Sequence, residues 1–146
     1  MKRTTVVLMG IAALAFAASA LAAGKPGPTI QLRATALGKI VVNGRGRTAY
    51  EFTRDRRNRD ACAKVSGCTS VWPAITVKGN PAAGPGIKRS LLGTIRVAGG
   101  VKQVTYAGHP LYTYSGDSGP GQTAYVGVSQ FGGIWYAINA GGNTVR

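Results

Sequence analysis

The chain of 146 residues predicts an all-β domain, a small barrel or sandwich built from two repeated units with approximate two-fold internal symmetry. Three observations predict it. Short runs of alternating or β-branched apolar residues follow one another from residue 39 onward, and none shows a sustained helical period with caps. Clusters of Gly, Pro and Asn, drawn from 22 glycines and 7 prolines, separate many of these runs. A motif of the form Y-x-[FWY]-x-x-D also occurs twice. It reads Tyr50-Glu51-Phe52-Thr53-Arg54-Asp55 and again Tyr112-Thr113-Tyr114-Ser115-Gly116-Asp117. Gly46 and Gly108 each stand four residues before the motif tyrosine, and Trp72-Pro73-Ala74-Ile75 matches Trp135-Tyr136-Ala137-Ile138. The offset is 62 residues at the tyrosines and 63 at the tryptophans, which one inserted residue reconciles. Such duplication implies two equivalent halves packed on one another.

Along the chain, Lys2 and Arg3 followed by an apolar run to Ala18 and small residues through Ala23 predict a signal peptide over residues 1–22. Cleavage is expected after Ala22 or Ala23. The small-residue exit and Lys25-Pro26-Gly27-Pro28 favour removal over a membrane anchor, and no further apolar run of spanning length follows. Residues 23–34 read as a flexible N-terminal arm and 35–140 as a single β domain. Repeat one spans about 38–77, with strands over 39–43, 47–53 and 70–77. A Gly/Pro-rich connector covers 78–90. Repeat two spans about 91–140, with strands over 91–97, 101–106, 111–114, 123–130 and 134–139, and Ala98-Gly99-Gly100 as a hairpin turn. Residues 141–146 form a tail. Export makes Cys62 and Cys68 a predicted structural disulfide, worth on the order of 2–3 kcal/mol for so short a loop. The C-x5-C spacing is not the C-x-x-C of thiol oxidoreductases and supplies only two metal ligands.

With these motifs the chain resembles a family of bacterial secreted proteins and lipoproteins that carry Y-x-[FWY]-x-x-D in repeated units, a secreted repeat of unknown function. The resemblance covers roughly residues 35–140. It rests on the cysteine pair before Trp72-Pro73, on Gly108-His109-Pro110-Leu111-Tyr112, and on Gly132-Gly133-Ile134-Trp135-Tyr136. The chain differs from the lipoprotein members in lacking a lipobox cysteine. The resemblance implies export and no particular activity.

Candidate sites begin with the motif residues. Tyr50 and Phe52 share one face of a strand, as do Tyr112 and Tyr114, so these aromatics, with Trp72 and Trp135, are expected in the core. Asp55 and Asp117 fall where each strand ends, placed to accept backbone N–H groups of the following turn. The sharper alternative is a hydrolase whose paired carboxylates meet between the repeats. Gly116-Asp117-Ser118-Gly119-Pro120 is similar to the nucleophile segment of chymotrypsin-like proteases, but it lacks the second glycine, and His109 lies only nine residues before Ser118. His109 occupies the position of Arg47 in the first repeat. It reads as a surface or turn histidine and a weak metal candidate beside the cysteines or aspartates.

The charge is the remaining signal. The formal net charge is +14, and about +12 remains once Lys2 and Arg3 are removed. Arg45, Arg47, Arg54, Arg56, Arg57 and Arg59 fall within fifteen positions, offset only by Glu51, Asp55 and Asp60. They form either a solvated loop or a contact surface for polyanions. Four acidic residues and one histidine leave few groups for acid–base catalysis. The expectation is a secreted or periplasmic, non-enzymatic, envelope-associated domain without cofactor. Its arginines would bind anionic polysaccharide or lipid head groups, since export argues against intracellular nucleic acid. A metal- or redox-associated periplasmic protein is the alternative.

Overall fold

The computed structural model describes residues 27–146, so the predicted signal peptide and the start of the arm lie outside the described residues. Strands β1 (Ile30–Thr35) and β2 (Gly38–Asn43) form an antiparallel hairpin in which Ile30 faces Asn43 and Thr35 faces Gly38. β3 (Tyr50–Phe52) follows, then a 3-10 turn at Cys62–Lys64, the single helical turn α1 (Cys68–Val71) and β4 (Thr76–Val77). A second hairpin follows, of β5 (Leu92–Arg96) and β6 (Lys102–Tyr106), in which Leu92 faces Tyr106. It continues with β7 (His109–Pro110), β8 (Val128–Gln130), β9 (Gly133–Ile138) and β10 (Thr144–Val145).

The fold is mostly β, in three antiparallel sheets: β1-β2; β10-β9-β3 with β8 on β9; and β4-β6-β5 with β7 on β6. Among the described residues no sheet closes on itself, so the barrel form of the expectation is not realised. Several boundaries also differ from the sequence reading. β1 lies largely within the stretch assigned to a flexible arm. The connector does not run free but lies parallel to β1, where Leu32 N–H donates to the Pro85 carbonyl and Gly84 N–H to that of Ile30. Gly and Pro there let the backbone come close: a Cβ on Gly84 would sit 2.7 Å from the Gln31 side chain.

Residues 70–77 do not make one strand. The Cys62–Cys68 disulfide (Cα–Cα 5.4 Å) ties back the loop before α1, Trp72 N–H closes that turn on the Cys68 carbonyl, and Pro73 has no N–H to lend a ladder. Only Thr76–Val77 pairs as a strand, with β6. Likewise 123–130 is strand only at its end, because Val126 N–H turns back to the Thr123 carbonyl and Gly127 takes a φ of +86°. Tyr112, expected within a strand over 111–114, is held by isolated bridges beyond β7. The supposed tail contains β10.

Two main clusters form the interior. An aliphatic one joins Ile30, Val41, Ile75, Val104, Leu111 and Ile138 with Tyr106. An aromatic one joins Tyr50, Phe52, Trp72, Tyr112 and Trp135 with the disulfide. Burying five large rings supplies much of the hydrophobic stabilisation, roughly 1.5–3 kcal/mol for each such side chain.

Candidate functional site

The motif residues meet in the aromatic cluster, and each half completes the other. Tyr50 and Tyr112 face one another as an isolated antiparallel bridge, exchanging both backbone hydrogen bonds at 2.8 and 3.0 Å. The Tyr50 hydroxyl donates to Asp117 Oδ2 at 3.1 Å, and the Tyr112 hydroxyl to Asp55 Oδ2 at 2.9 Å. Trp72 and Trp135 stack with centroids 4.0 Å apart, and each meets its own unit's tyrosine edge-on. Phe52 stacks on Trp135, while Tyr114 packs on Trp72. Tyr50 pairs with Ala137 and Tyr112 with Ala74. The carbonyl of Gly46 accepts from Gly121 N–H, and that of Gly108 from Asn58 N–H. Both glycines have φ above +80°, the left-handed turn that lets the chain enter the motif.

The aspartates are therefore held as structural acceptors. Asp55 Oδ1 takes the Ala61 N–H at 2.7 Å, the turn-bonding role expected of it. Asp117, expected in the same role, is 1% exposed and takes no turn N–H: Ser118 N–H goes to Gln122 Oε1, and Asp117 Oδ1 has no partner among the described residues. Burial pushes the Asp55 carboxyl up to about 6, against the pull of its hydrogen bonds from Ala61 and Tyr112, and it raises Asp117 as well. Burial, with the facing carboxylates, drives both tyrosine hydroxyls upward, so they remain donors.

His109 has been given a partner that the sequence did not suggest. Its Nδ1 lies 2.6 Å from Oε2 of Glu51, a buried carboxylate whose other oxygen accepts from the Thr144 hydroxyl. The hydrogen bond between His109 and Glu51 raises the His109 pKa against the opposing effect of burial. Cys62 and Cys68 are consumed in the disulfide, and no group of three His, Cys, Asp or Glu side chains suited to a metal occurs among the described residues.

The six arginines divide. Arg47 Nη1 donates to the Asp117 carbonyl, Arg57 Nη1 reaches the Ala107 carbonyl at 3.1 Å, and Arg45 lines a separate depression with Thr29, Asn43 and Thr76. Arg54, Arg56 and Arg59 converge on a cleft of about 200 Å³ with Lys64, Asp60 and Ala61. Arg54 is anchored there by Nη1 donating to the Phe131 carbonyl at 3.0 Å. Lys64 was not singled out by composition. Its signal in the sequence is its position inside the six-residue separation of the two cysteines, which holds its turn in place. Gln130 was equally invisible: its side-chain oxygen accepts from Trp72 Nε1 at 2.8 Å and its carbonyl from Trp135 Nε1 at 3.3 Å.

Residues 93–139 match the family described as a secreted repeat of unknown function. The matched stretch runs from Gly93 in β5 through β9, and over these residues it bears out the resemblance to that family. It supports an exported protein. No curated protein and no solved structure matches the chain. Among the described residues no helix is long and apolar enough to cross a membrane.

Proposed function

We propose that this chain is an exported, non-enzymatic domain of the cell envelope that holds anionic polymers or head groups in the cleft of Arg54, Arg56, Arg59 and Lys64. One observation carries the reading: three arginines of the cluster and a lysine line one cavity, with Asp60 the sole carboxylate among its lining residues. Guanidinium forks suit oxyanions, and the high net charge draws polyanions from a distance. The aromatic core serves as scaffold. Its reciprocal contacts support two equivalent halves related by an approximate two-fold axis, with Asp55 and Asp117 bound into that scaffold rather than presented to a substrate.

Retention of the protein on immobilised anionic polymer tests the reading. Retention is expected to weaken with rising salt and to fall in Arg54→Glu and Arg56→Glu, while Arg45→Glu, outside the cleft, changes it little. Salt-independent retention, or equal losses at all three positions, would count against the cleft.

A further inference from the structure

The cleft has a feature that points to the kind of anion it takes. Arg56 and Arg59 face each other across a two-residue corner, with Arg59 N–H donating to the Arg56 carbonyl at 2.9 Å and Arg56 N–H to that of Arg59 at 3.3 Å. In such a pair the Cα atoms stand about 5.5 Å apart and both side chains leave on the same side. Both side chains line the cleft, and two guanidinium groups that meet there repel unless something negative lies between them. The corner is fixed in place. Asn58 holds a φ of +54° and donates its N–H to the Gly108 carbonyl at 2.7 Å, while Arg57 reaches the neighbouring Ala107 carbonyl.

We infer that the group seated between Arg56 and Arg59 is a phosphate ester. This inference rests on the envelope-binding reading above. Four cations line the cleft against the single carboxylate of Asp60, whose Oδ1 already accepts from Ala63 N–H at 2.8 Å. A carboxylate has one charge and two oxygens, enough for one fork. A phosphate monoester carries up to two charges and three terminal oxygens in a tetrahedral array, enough to reach both forks and the Lys64 ammonium together. A diester still sets its two terminal oxygens about a tetrahedral phosphorus rather than in the plane of a carboxylate. Pockets for whole ligands run to roughly 300–1,000 Å³. A cleft of about 200 Å³ suits one charged group, with the rest of the polymer or lipid outside. The second motif is not followed by such a cluster. After Asp117 the chain runs Ser118-Gly119-Pro120-Gly121-Gln122-Thr123, with no cation where the first unit has Arg56, Arg57 and Arg59.

Calorimetric titration of the full chain at low salt tests the inference, with inorganic phosphate and poly(glycerol phosphate) as probes and acetate and polygalacturonate as carboxylate comparators. One phosphate per chain is expected, with affinity at least about tenfold lower in Arg56→Gln and Arg59→Gln and unchanged in Arg45→Gln. Thermal unfolding gives a second measurement. In the absence of anions either glutamine variant should melt no lower than the parent, because a repulsion has been removed, and should lose the rise in midpoint that phosphate brings. Binding of carboxylate as tight as phosphate, or phosphate binding unchanged by both variants, overturns the inference. Retention on anionic polymer that survives excess phosphate also overturns it while leaving the envelope reading standing; loss of retention on every polyanion removes both. Vesicles of phosphatidylglycerol run beside poly(glycerol phosphate) identify the source of the group, and Arg56- and Arg59-dependent binding of either supports the inference.

Discussion

Two hydroxyls decide how the motif behaves. Tyr50 donates the hydrogen bond to Asp117, whose other oxygen has no partner among the described residues, whereas Asp55 also has the Ala61 N–H besides Tyr112. Tyr50→Phe is therefore expected to destabilise more, by about 2 kcal/mol, than Tyr112→Phe, by about 1 kcal/mol, in urea denaturation. The titrating groups set a second expectation. Asp55 binds its proton at about pH 6 in the fold and near 4 when unfolded, so protonation favours the folded chain and stability falls as pH rises through that window. His109, raised by its bond to Glu51, contributes fully below about pH 6.5 and loses its contribution as pH rises through its folded value. Both effects run the same way, so the denaturation midpoint should decline from pH 5 to pH 8. Asp55→Asn should flatten the lower part of that decline and His109→Gln the upper. A flat profile in the parent would contradict both assignments. The motif positions and the Asp55–turn bond were legible in the sequence, because i, i+2 spacing fixes faces. The exchange of tyrosine for aspartate between units was not, since spacing within a motif does not say which copy supplies the partner.

At the scale of elements, the disulfide does more than brace a loop. It closes the chain ahead of α1, sets Trp72 on its stack, and fixes the turn that carries Lys64 into the arginine cleft. Cys62→Ser combined with Cys68→Ser is expected to lower stability by about 2–3 kcal/mol. It should also weaken phosphate binding without change to any cleft residue, so the two losses can be read separately by denaturation and titration. The hairpin β5–β6 was readable from two alternating runs around Ala98-Gly99-Gly100. β1 was not: Ile30 to Thr35 follows Lys25-Pro26-Gly27-Pro28, and its strand character depends on β2 and on the connector that bonds to its other edge. Helical α1 was hidden for the same kind of reason, because the β-branched Thr69 and Val71 favour a strand locally and the covalent tie overrides them.

For the whole molecule, the two halves stand or fall together. β3 pairs with β9 across the units, and every ring of the central stack touches a ring from the other half or from its own tyrosine–tryptophan pair. Residues 91–146 made alone are expected to give the circular dichroism of an unfolded chain, although they include the whole matched repeat. A folded spectrum for that fragment would show that the first half is dispensable. Trp135→Ala, which removes the stack from both sides at once, should cost about 3–5 kcal/mol and unfold the chain as one unit. The overall charge says where to look for a ligand, but only the fold separates Arg54, Arg56 and Arg59 from Arg45, Arg47 and Arg57.

The crossed tyrosine–aspartate bonds also bear on concentration. A solitary unit could satisfy its tyrosine and its aspartate only against a second molecule, so its folding would be a bimolecular event that dilution reverses. Carrying both motifs on one chain makes the same contacts intramolecular. An exported protein built in this way keeps its core intact however dilute it becomes.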